Sequence, residues 1–558
     1  MNYNYLTFKK FAADKNYESI ISEVKYLYEK THSDDIKTLK YSEFKLFFET
    51  GSRIEYERSY FERRGRLLAS SILCMLYDDE KYLTDLCDII WSICDEYTWC
   101  LPAHMKYSDK IAAENIDLFS AETGFALSEI YKILENRLPD PIKERIVFEI
   151  KRRITNAFIK NPFFWWERSE NNWAAVCGGS VGSVFILMES EKFPLIEPRI
   201  ENAIASFLSS YEEDGVCKEG YGYWNYGFGY FVFYAELLYE FSNHAKDLFA
   251  DSKVKKIAEF QQKVFIQDNV TASFSDGSIK ASHYVGLSHF LKSKFNISIP
   301  DEKYRNSHID GTGDTCYRYA AFLRELIWYN PEYKNSEKTH GYYYLKSSEW
   351  YINKKENYSF AAKGGDNDEP HNQNDIGCFI IAVNGEQFIC DIGAGEYIKA
   401  YFMPETRYKL ICNSSLGHSV PIICKNEQSA GKEFIGKILK ADNKGLEIQF
   451  EKAYNEPRLK SLNRKFSFSE NEITLRDEFI FNSSESDFIE RFISKFEPKI
   501  SSDSLIIENM EIKFDKSSFD LKITKEYYKN HDADDDILYT IDFIPLNNIS
   551  YAEFRFVI

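Results

Sequence analysis

The stretch FAAKGGDNDEPHNQNDIGCFIIAVNGEQFICDIGAGEY, residues 360–397, decides the fold of this chain. Within it, two apolar runs lie on either side of Asn384 and Gly385. Asn-Gly is a favoured pair in two-residue type I′ turns, because both central residues of that turn need a positive φ. The stretch therefore predicts a β-hairpin made of two antiparallel strands.

Short β-rich runs continue on both sides of this hairpin. From residue 341 onward they follow one another between polar turns, at a spacing of ~8–12 residues that is typical of sandwich proteins. The clearest runs are GYYYLKSSEWYINKK (341–355), KFSFSENEITLRDEFIF (465–481), DSLIIENMEIKF (503–514) and SFDLKITKEYY (518–528). We predict an antiparallel β-sandwich over residues 341–558.

The chain before residue 340 has a different periodicity. Apolar residues recur there at helical spacing, and polar loops with Gly, Pro, Asn and Asp separate the segments. The predicted helices are 60–78, 82–95, 118–136, 143–159, 195–210, 228–242, 254–266 and 317–329. Successive amphipathic helices indicate paired helices stacked in a ring or an open solenoid over residues 1–340, and no fixed repeat decides between the two. The glycine-rich GGSVG (178–182) lacks the ending of a phosphate-binding loop and predicts close helix packing instead.

Composition limits the classes of partner. The chain has 558 residues, enough for at least two domains, and a formal net charge of −18, which disfavours nucleic acid and anionic membranes. Aromatic residues make up 16%, and although core and interface packing explains most of them, exposed aromatic rings also stack on sugars. No run of ~18 apolar residues predicts a membrane span. The eleven cysteines contain no CxxC pair, which favours reduced thiols.

These features predict a cytoplasmic protein that could form homo-oligomers. The N-terminus has no apolar segment typical of a secretory signal. A signal removed during maturation would leave the same start and would place the protein in the periplasm or outside the cell.

Uncommon polar residues and glycines concentrate in three stretches: FFWWERSENNWAAVCGGSVG (163–182), DGVCKEGYGYWNYGFGY (214–230) and the opening stretch, 360–397. Together they resemble the heparinase II/III-like polysaccharide lyases and the related oligoalginate lyases, from about residue 90 to about residue 420. The most specific matches to the family pattern are Gly365, Glu369, Pro370, His371, Asn372, Asn374, Asp375, Gly377 and Phe379. The resemblance implies an (α/α) toroid followed by a β-sandwich.

It also implies β-elimination on a uronate sugar, in which a base removes the C5 proton, the C4–O bond breaks and an acid protonates the leaving oxygen. Asn172 matches the family amide that neutralises the uronate carboxylate, although Asn171 and Asn172 also fit a helix N-cap. Tyr223 matches the catalytic tyrosine, a general acid and possible base. His371 matches the histidine that acts as base or helps to neutralise the acid group.

Several alternatives stay open around these three residues. Tyr221, Tyr226 and Tyr230 compete with Tyr223, and the tyrosines could also form only a sugar groove. The predicted substrate-binding residues are Asn171, Trp173, His104, Arg168, Glu219, Tyr226, Glu369, Asn372 and His283.

The resemblance further implies a metal site, without an organic cofactor. Relatives place zinc on a histidine two residues after the catalytic one, on an Asp near the next strand and on a later His. The matching positions here are Gln373, Asp391 and His418. An amide is a poor zinc ligand, so the site is weakened, binds another ion such as calcium, or is a hydrogen-bonded cluster without metal.

The sequence therefore predicts a lyase that cleaves an acidic, uronate-containing poly- or oligosaccharide such as a glycosaminoglycan or alginate. One alternative is a non-catalytic protein of the same fold that binds glycans or takes part in polysaccharide assembly. Another is a glycoside hydrolase, which needs two positioned carboxylates; Glu167, Asp214 and Glu219 are the candidates.

Overall fold

A computed structural model describes residues 5–109, 111–309, 313–333, 340–501 and 504–558. The chain divides into two compact units. The first unit consists of Met1–Ser210, Asn225–Lys255 and Ser282–Asn335. The second consists of Tyr211–Trp224, Lys256–Ala281 and Ser336–Ile558. The first is mostly helical and the second mostly antiparallel β, so the predicted fold class is confirmed.

The helices fall almost entirely before residue 335. They are α1 (Tyr5–Ala13), α2 (Glu18–Thr31), α3 (Tyr41–Thr50), α4 (Ile54–Leu76), α5 (Glu80–Cys94), α6 (Leu118–Leu134), α7 (Asp140–Ile150), α8 (Asn156–Lys160), α9 (Asn172–Met188), α10 (Phe193–Ser209), α11 (Tyr221–Tyr223), α12 (Gly229–Phe241), α13 (Ser252–Ala258), α14 (Phe260–Val264), α15 (Val285–Phe295), α16 (Tyr319–Ile327) and α17 (Pro404–Arg407). Among the described residues no helix has the length and apolar character needed to cross a membrane.

Helix α9 lies at the centre of the first unit. Nearly all of its side chains are buried, as expected for a helix that is apolar on all sides. A Cβ atom at Gly182 would lie 2.6 Å from the Tyr234 ring of α12, and one at Gly178 would lie 2.9 Å from the Ala203 Cβ of α10. These glycines allow the neighbouring helices to approach α9 closely, so the packing role predicted for GGSVG is confirmed.

The predicted helix 254–266 is wrong at its C-terminal end. Two short helices, α13 and α14, occupy most of it, and Phe265–Gln267 is a strand that pairs with Val270–Thr271. Aromatic and β-branched residues around the turn, where Asp268 has a φ of 52°, favour this small hairpin over a continued helix.

The strands are β1 (Phe265–Gln267), β2 (Val270–Thr271), β3 (Gly341–Leu345), β4 (Trp350–Lys354), β5 (Ser359–Lys363), β6 (Gly365–Asn367), β7 (Phe379–Val383), β8 (Glu386–Ile389), β9 (Ile422–Ile423), β10 (Gly431–Ala441), β11 (Gly445–Gln449), β12 (Leu459–Phe468), β13 (Glu472–Phe481), β14 (Phe488–Ser494), β15 (Lys499–Ile500), β16 (Ser504–Ile507), β17 (Met510–Phe514), β18 (Phe519–Lys529), β19 (Asp535–Pro545) and β20 (Tyr551–Val557).

All strand pairs are antiparallel. A nine-stranded sheet has the order β15-β16-β17-β20-β13-β12-β11-β10-β6, and the two other large sheets have the orders β18-β19-β14-β9 and β3-β4-β5-β7-β8. A continuous apolar core of Phe, Ile, Leu and Tyr side chains from all three sheets fills the second unit. The predicted hairpin is confirmed, since Val383 pairs with Glu386 and both Asn384 (φ 51°) and Gly385 (φ 77°) have a positive φ.

Two segments before residue 340 belong to the β-rich unit. Asp214 accepts hydrogen bonds from the backbone N–H (2.8 Å) and the hydroxyl (2.7 Å) of Ser348. The carbonyl of Ile266 accepts one from the Ser359 hydroxyl at 2.7 Å. These bonds attach residues 211–224 and 256–281 to the strands, so Tyr223, which lies within the predicted helical range, is in the same unit as His371.

Candidate active site

His371 lies in the loop that joins β6 to β7. Its backbone φ is 57°, a left-handed conformation that non-glycine residues adopt only when the surroundings enforce it. A buried ion-pair cluster encloses the loop: Lys363 Nζ lies 2.8 Å from Asp375 and 3.4 Å from Glu369, and Lys218 Nζ lies 3.2 Å from Glu369. Glu369 therefore links the loop to both lysines, which favours a positioning role over the predicted contact with substrate.

Two carboxylates flank the His371 ring. Nδ1 lies 2.6 Å from Asp276 Oδ2, and Nε2 lies 3.3 Å from Glu219 Oε2. Although burial alone would lower the pKa of His371, the hydrogen bonds to Asp276 and Glu219 raise it to about 9. At neutral pH His371 is therefore an imidazolium ion, and the predicted residue Glu219 lies beside it.

Asp276 is the hydrogen-bond partner of His371 Nδ1. Its side chain is fully buried, and it accepts hydrogen bonds from the hydroxyls of Tyr397 and Tyr401 as well as from His371. Although burial opposes its ionisation, the bonds from His371, Tyr397 and Tyr401 keep the pKa of Asp276 below its usual range. A carboxylate with this many donors is ionised in the resting protein and orients His371.

Tyr223 packs against the other side of the imidazole. The two ring centroids lie 4.4 Å apart at an interplanar angle of 32°, and the Tyr223 hydroxyl lies 2.8 Å from that of Tyr397. Since an ionised carboxylate only accepts, the Tyr397 proton points to Asp276. Tyr223 is then the donor to Tyr397, and the lone pairs of its oxygen face away from that bond.

A glycine pair allows this arrangement. Tyr223 ends the short helix α11, which begins after Gly220 (φ 106°). A Cβ atom at Gly220 would lie 2.9 Å from the backbone nitrogen of Gly277, the residue after Asp276. The close backbone contact between Gly220 and Gly277 thus allows Tyr223 and Asp276 to contact the same residue, His371.

The competing tyrosines have other environments. Tyr226 and Tyr230 are buried in the first unit and both donate to Glu122. Burial and the Glu122 charge raise the pKa of both phenols well above the usual value, so neither ionises to a phenolate that could act as the base. Tyr221 is buried against Trp224, with ring centroids 5.4 Å apart. The environment of Tyr223 is the one that suits proton transfer, whereas Tyr226 is better explained as part of the helical core than as a substrate contact.

The Asn171 region combines a helix cap with an aromatic surface. Asn171 is the N-cap of α9, since its side chain accepts from Trp173 N–H at 3.1 Å; this confirms the capping alternative for that residue. Asn172 is buried in the first turn. Trp173 contacts the rings of Trp165 and His104, each with a centroid separation of 4.8 Å, and Trp165 is 56% exposed.

His104 and Arg168 complete the polar residues of this region. His104 Nδ1 lies 2.8 Å from Asp117 Oδ2, and Asp117 also caps α6 by accepting from Ser120 N–H. The guanidinium of Arg168, an exposed residue, lies over the Phe163 ring at 4.9 Å. His104 and Trp173 thus lie together in the first unit, as candidates for one sugar-stacking surface.

Two of the predicted substrate contacts are used inside the protein. His283 is fully buried, with Nδ1 2.9 Å from the Ser288 hydroxyl and Nε2 3.0 Å from the Asp301 carbonyl, and burial lowers its pKa to about 4. Asn372 is buried, and its amide donates to the Tyr408 hydroxyl at 3.2 Å. Both environments favour structural roles.

The three predicted metal ligands do not form one group of contacts. Gln373 is buried, and its amide hydrogens are donated to the carbonyls of Ser275 (2.7 Å) and Gly393 (3.1 Å). Asp391 and His418 lie together, with 3.3 Å between Oδ2 and Nδ1. Beside them lies Cys378, so a buried Cys-Asp-His group is the set of side chains whose chemistry fits a metal.

Sequence reasoning missed Asp276, Tyr397 and Tyr401. Asp276 lies in the stretch FSDGSIKASHYVG (274–286), in which the predicted site residue is His283. Tyr397 ends the stretch 360–397, in which the predicted catalytic residue is His371, and Tyr401 follows four positions later. A lone Asp before Gly reads as a turn residue, and the chain around it gives no sign of its partner 95 positions away.

The fold is similar to that of solved polysaccharide lyases, heparinase III among them, so the resemblance is confirmed at the level of fold. Heparinase III shares 15% identity over 97% of this chain and 84% of its own length, with a TM-score of 0.65. A heparan sulfate lyase of Pedobacter heparinus shares 11% over 96% of this chain and 88% of its own, with a TM-score of 0.57.

A third solved structure is similar over the same extent. The chondroitin AC lyase of Streptomyces coelicolor A3, in complex with chondroitin sulphate, shares 8% identity over 99% of this chain and 82% of its own, with a TM-score of 0.56. No family model matches the chain. No curated protein sequence matches it either.

Proposed function

We propose that this protein is a polysaccharide lyase that cleaves a uronate-containing poly- or oligosaccharide by β-elimination. The observation that carries the proposal is the ring contact of Tyr223 with His371. His371 is hydrogen-bonded directly to Asp276, and Tyr223 is connected to Asp276 through the hydroxyl of Tyr397. Elimination needs a proton acceptor for C5, a cationic or amide donor for the carboxylate and a proton donor for the leaving oxygen. The fold shared with three glycan lyases supports the same chemistry.

His371 suits the role of cationic donor. With a pKa raised to about 9 it carries a proton at neutral pH, so in the resting protein it is not available as the base. Its Nε2 is 3.3 Å from Glu219, a longer separation than the 2.6 Å on the Asp276 side, and the side chain is 20% exposed. In the proposal Nε2–H turns to the uronate carboxylate and stabilises the charge that develops as C5 loses its proton.

Tyr223 suits the role of proton carrier. Its own proton is directed to Tyr397, and in the proposal an oxygen lone pair of Tyr223 accepts the C5 proton. As Tyr223 takes that proton, its own moves to Tyr397 and the Tyr397 proton moves to Asp276. The C5–H electrons form the C4=C5 bond, and the C4–O bond breaks. Tyr223 then gives a proton to the C4 oxygen, and the displaced protons return, so each group ends as it began.

The role of Asn172 as an amide donor to the uronate carboxylate stays a prediction from the sequence. A charge-neutral amide donor would lower the cost of the enolate-like intermediate without losing a proton. The exposed Trp165 and the half-buried Trp173 are proposed to stack on sugar rings, because one face of a pyranose is apolar.

The test is the ultraviolet absorbance of the C4=C5 double bond conjugated with the carboxylate, measured with a panel of glycosaminoglycans, alginate and pectin. We expect a rise with at least one polymer, a loss of at least ~100-fold in His371→Ala and Tyr223→Phe, and retention in Tyr226→Phe, the matched tyrosine control.

Other outcomes refute the proposal in different ways. New reducing ends without ultraviolet absorbance would indicate hydrolysis. Binding to a polymer without cleavage, by wild type and His371→Ala alike, would indicate a glycan-binding protein. Loss of activity in Tyr226→Phe but not in Tyr223→Phe would refute the assignment of the tyrosine.

A further inference from the structure

Three buried side chains of different chemistry converge at the ends of the β7–β8 hairpin. Cys378 directly precedes β7, Asp391 follows β8, and His418 follows the turn Ser415–Gly417. All three are fully buried, and one ligand-type atom from each lies within 4.8 Å of the others. The Cys378 sulfur is 3.9 Å from Asp391 Oδ2, which is 3.3 Å from His418 Nδ1.

The orientation of the His418 ring points its Nδ1 at Asp391. Its Nε2 lies 3.1 Å from the carbonyl of Cys412, which only accepts, so Nε2 carries a hydrogen. Nδ1 is therefore the nitrogen that faces the Asp391 carboxylate, at 3.3 Å from Oδ2. Either a proton on Nδ1 or a metal ion can join these two groups, and a metal ion would take the place of the proton. A second ring nitrogen fixed by a backbone carbonyl is a recurrent feature of metal-bound histidines.

Asp391 is held in the orientation that such a cation requires. Its Oδ1 accepts from Gly393 N–H at 3.0 Å, so Oδ2 faces His418 and Cys378. Zinc bonds of about 2.0–2.3 Å at tetrahedral angles separate ligand atoms by roughly 3.3–3.8 Å. The observed separations of 3.3 Å and 3.9 Å lie close to that range.

We propose that Cys378, Asp391 and His418 form a zinc site, in which the thiolate of Cys378 takes the place of the ligand that Gln373 does not supply. Thiolate and imidazole favour zinc over calcium, which binds oxygen ligands. Binding converts the Cys378 thiol to a thiolate and displaces the proton between His418 and Asp391, and both protons pass to solvent.

The site would brace the segment that holds the active-site carboxylate. The carbonyl of Asp391 accepts from the Ser273 hydroxyl at 2.8 Å, and Ser273 lies three positions before Asp276. A metal ion on Asp391 thus stabilises residues 273–276 without contacting substrate. This inference does not depend on the proposed lyase activity.

The experiment uses the full chain, stripped with a chelator and reloaded with Zn²⁺ or with Co²⁺ as a spectroscopic probe. We expect one tightly bound ion per chain, a rise in the thermal transition temperature on zinc addition, and a near-ultraviolet thiolate-to-cobalt charge-transfer band. Cys378→Ser is expected to lose the band and at least nine-tenths of the metal. Cys390→Ser, a buried cysteine next to Asp391 in sequence, is the matched control and is expected to keep both.

Gln373→Ala completes the design, because the Gln373 amide oxygen has no hydrogen-bond partner among the described residues. We expect this variant to retain the cobalt band. The proposal is overturned if wild-type protein binds no metal, if its cobalt spectrum lacks the thiolate band, or if Gln373→Ala rather than Cys378→Ser loses the ion. The wild-type cobalt spectrum decides whether a thiolate is a ligand even if Cys378→Ser fails to fold.

Discussion

Replacement of Asp276 by Asn tests the electrostatics of the site most directly. The substitution keeps the size of the side chain and removes the negative charge 2.6 Å from His371 Nδ1. An opposite charge at such a distance shifts a pKa by about 1–3 units. Asp276 is the main group that raises the pKa of His371, and Glu219 remains in the variant. We therefore expect the pKa of His371 to fall from about 9 to between about 6 and 8.

The sign of the pH effect follows from the role of the imidazolium. If His371 acts while protonated, activity is present below its pKa and is lost as the pH rises through it. The alkaline limb of kcat/KM is then near pH 9 in the wild-type protein. Asp276→Asn also removes the final proton acceptor of the proposed path, so we expect a lower rate at every pH and an alkaline limb about 1–3 pH units lower in the activity that remains.

Two measurements check this prediction together. The initial rate of ultraviolet absorbance gives the pH profile, and the ¹³C chemical shift of labelled histidine gives the pKa of His371, assigned with His371→Gln. Tyr401→Phe is the control, because it removes a donor to Asp276 and leaves the charge in place. A His371 pKa within about half a unit of the wild-type value in Asp276→Asn would refute the electrostatic argument, whatever the activity.

Two further predictions concern single groups near the site and near α9. Tyr397→Phe removes the acceptor for the Tyr223 proton, so we expect kcat to fall about 10- to 100-fold with little change in KM. In the control Tyr401→Phe, whose hydroxyl contacts Asp276 alone, we expect kcat to fall less than about 5-fold. Equal effects of the two variants would contradict the proposed proton path. Gly227→Ala places a Cβ atom 3.0 Å from the Asn172 Cβ and 3.0 Å from the Phe207 ring, so we expect a loss of about 1–3 kcal/mol in the free energy of unfolding. Gly222→Ala, which meets nothing within 4 Å, is expected to be neutral or slightly stabilising in denaturant titrations, and a similar loss in both variants would show that the contact with Asn172 is not the cause.

Local sequence patterns determined the elements of this protein. The Asn-Gly pair at 384–385 specified the turn of the β7–β8 hairpin, because the conformation depends on those two residues alone. Helical periodicity before residue 335 and short strands after 341 gave the fold class for the same reason, since the pattern of buried positions is set by the local geometry of each element. The motif around His371 predicts the loop and the class of chemistry that we propose.

The tertiary structure decided which groups act on each other. Tyr223 could not be separated from Tyr226 by sequence, because both lie in one glycine- and tyrosine-rich stretch. Their environments differ because one phenol contacts Tyr397 and the other Glu122.

The partners of His371 and the proposed metal ligands were likewise decided by the tertiary structure. Asp276 and His371 are 95 positions apart, and Cys378 and His418 are 40 apart, and nothing in the chain between them encodes their meeting. The pKa of a histidine and the ligand set of a metal both depend on distances of 3–4 Å between segments that only the packed fold brings together.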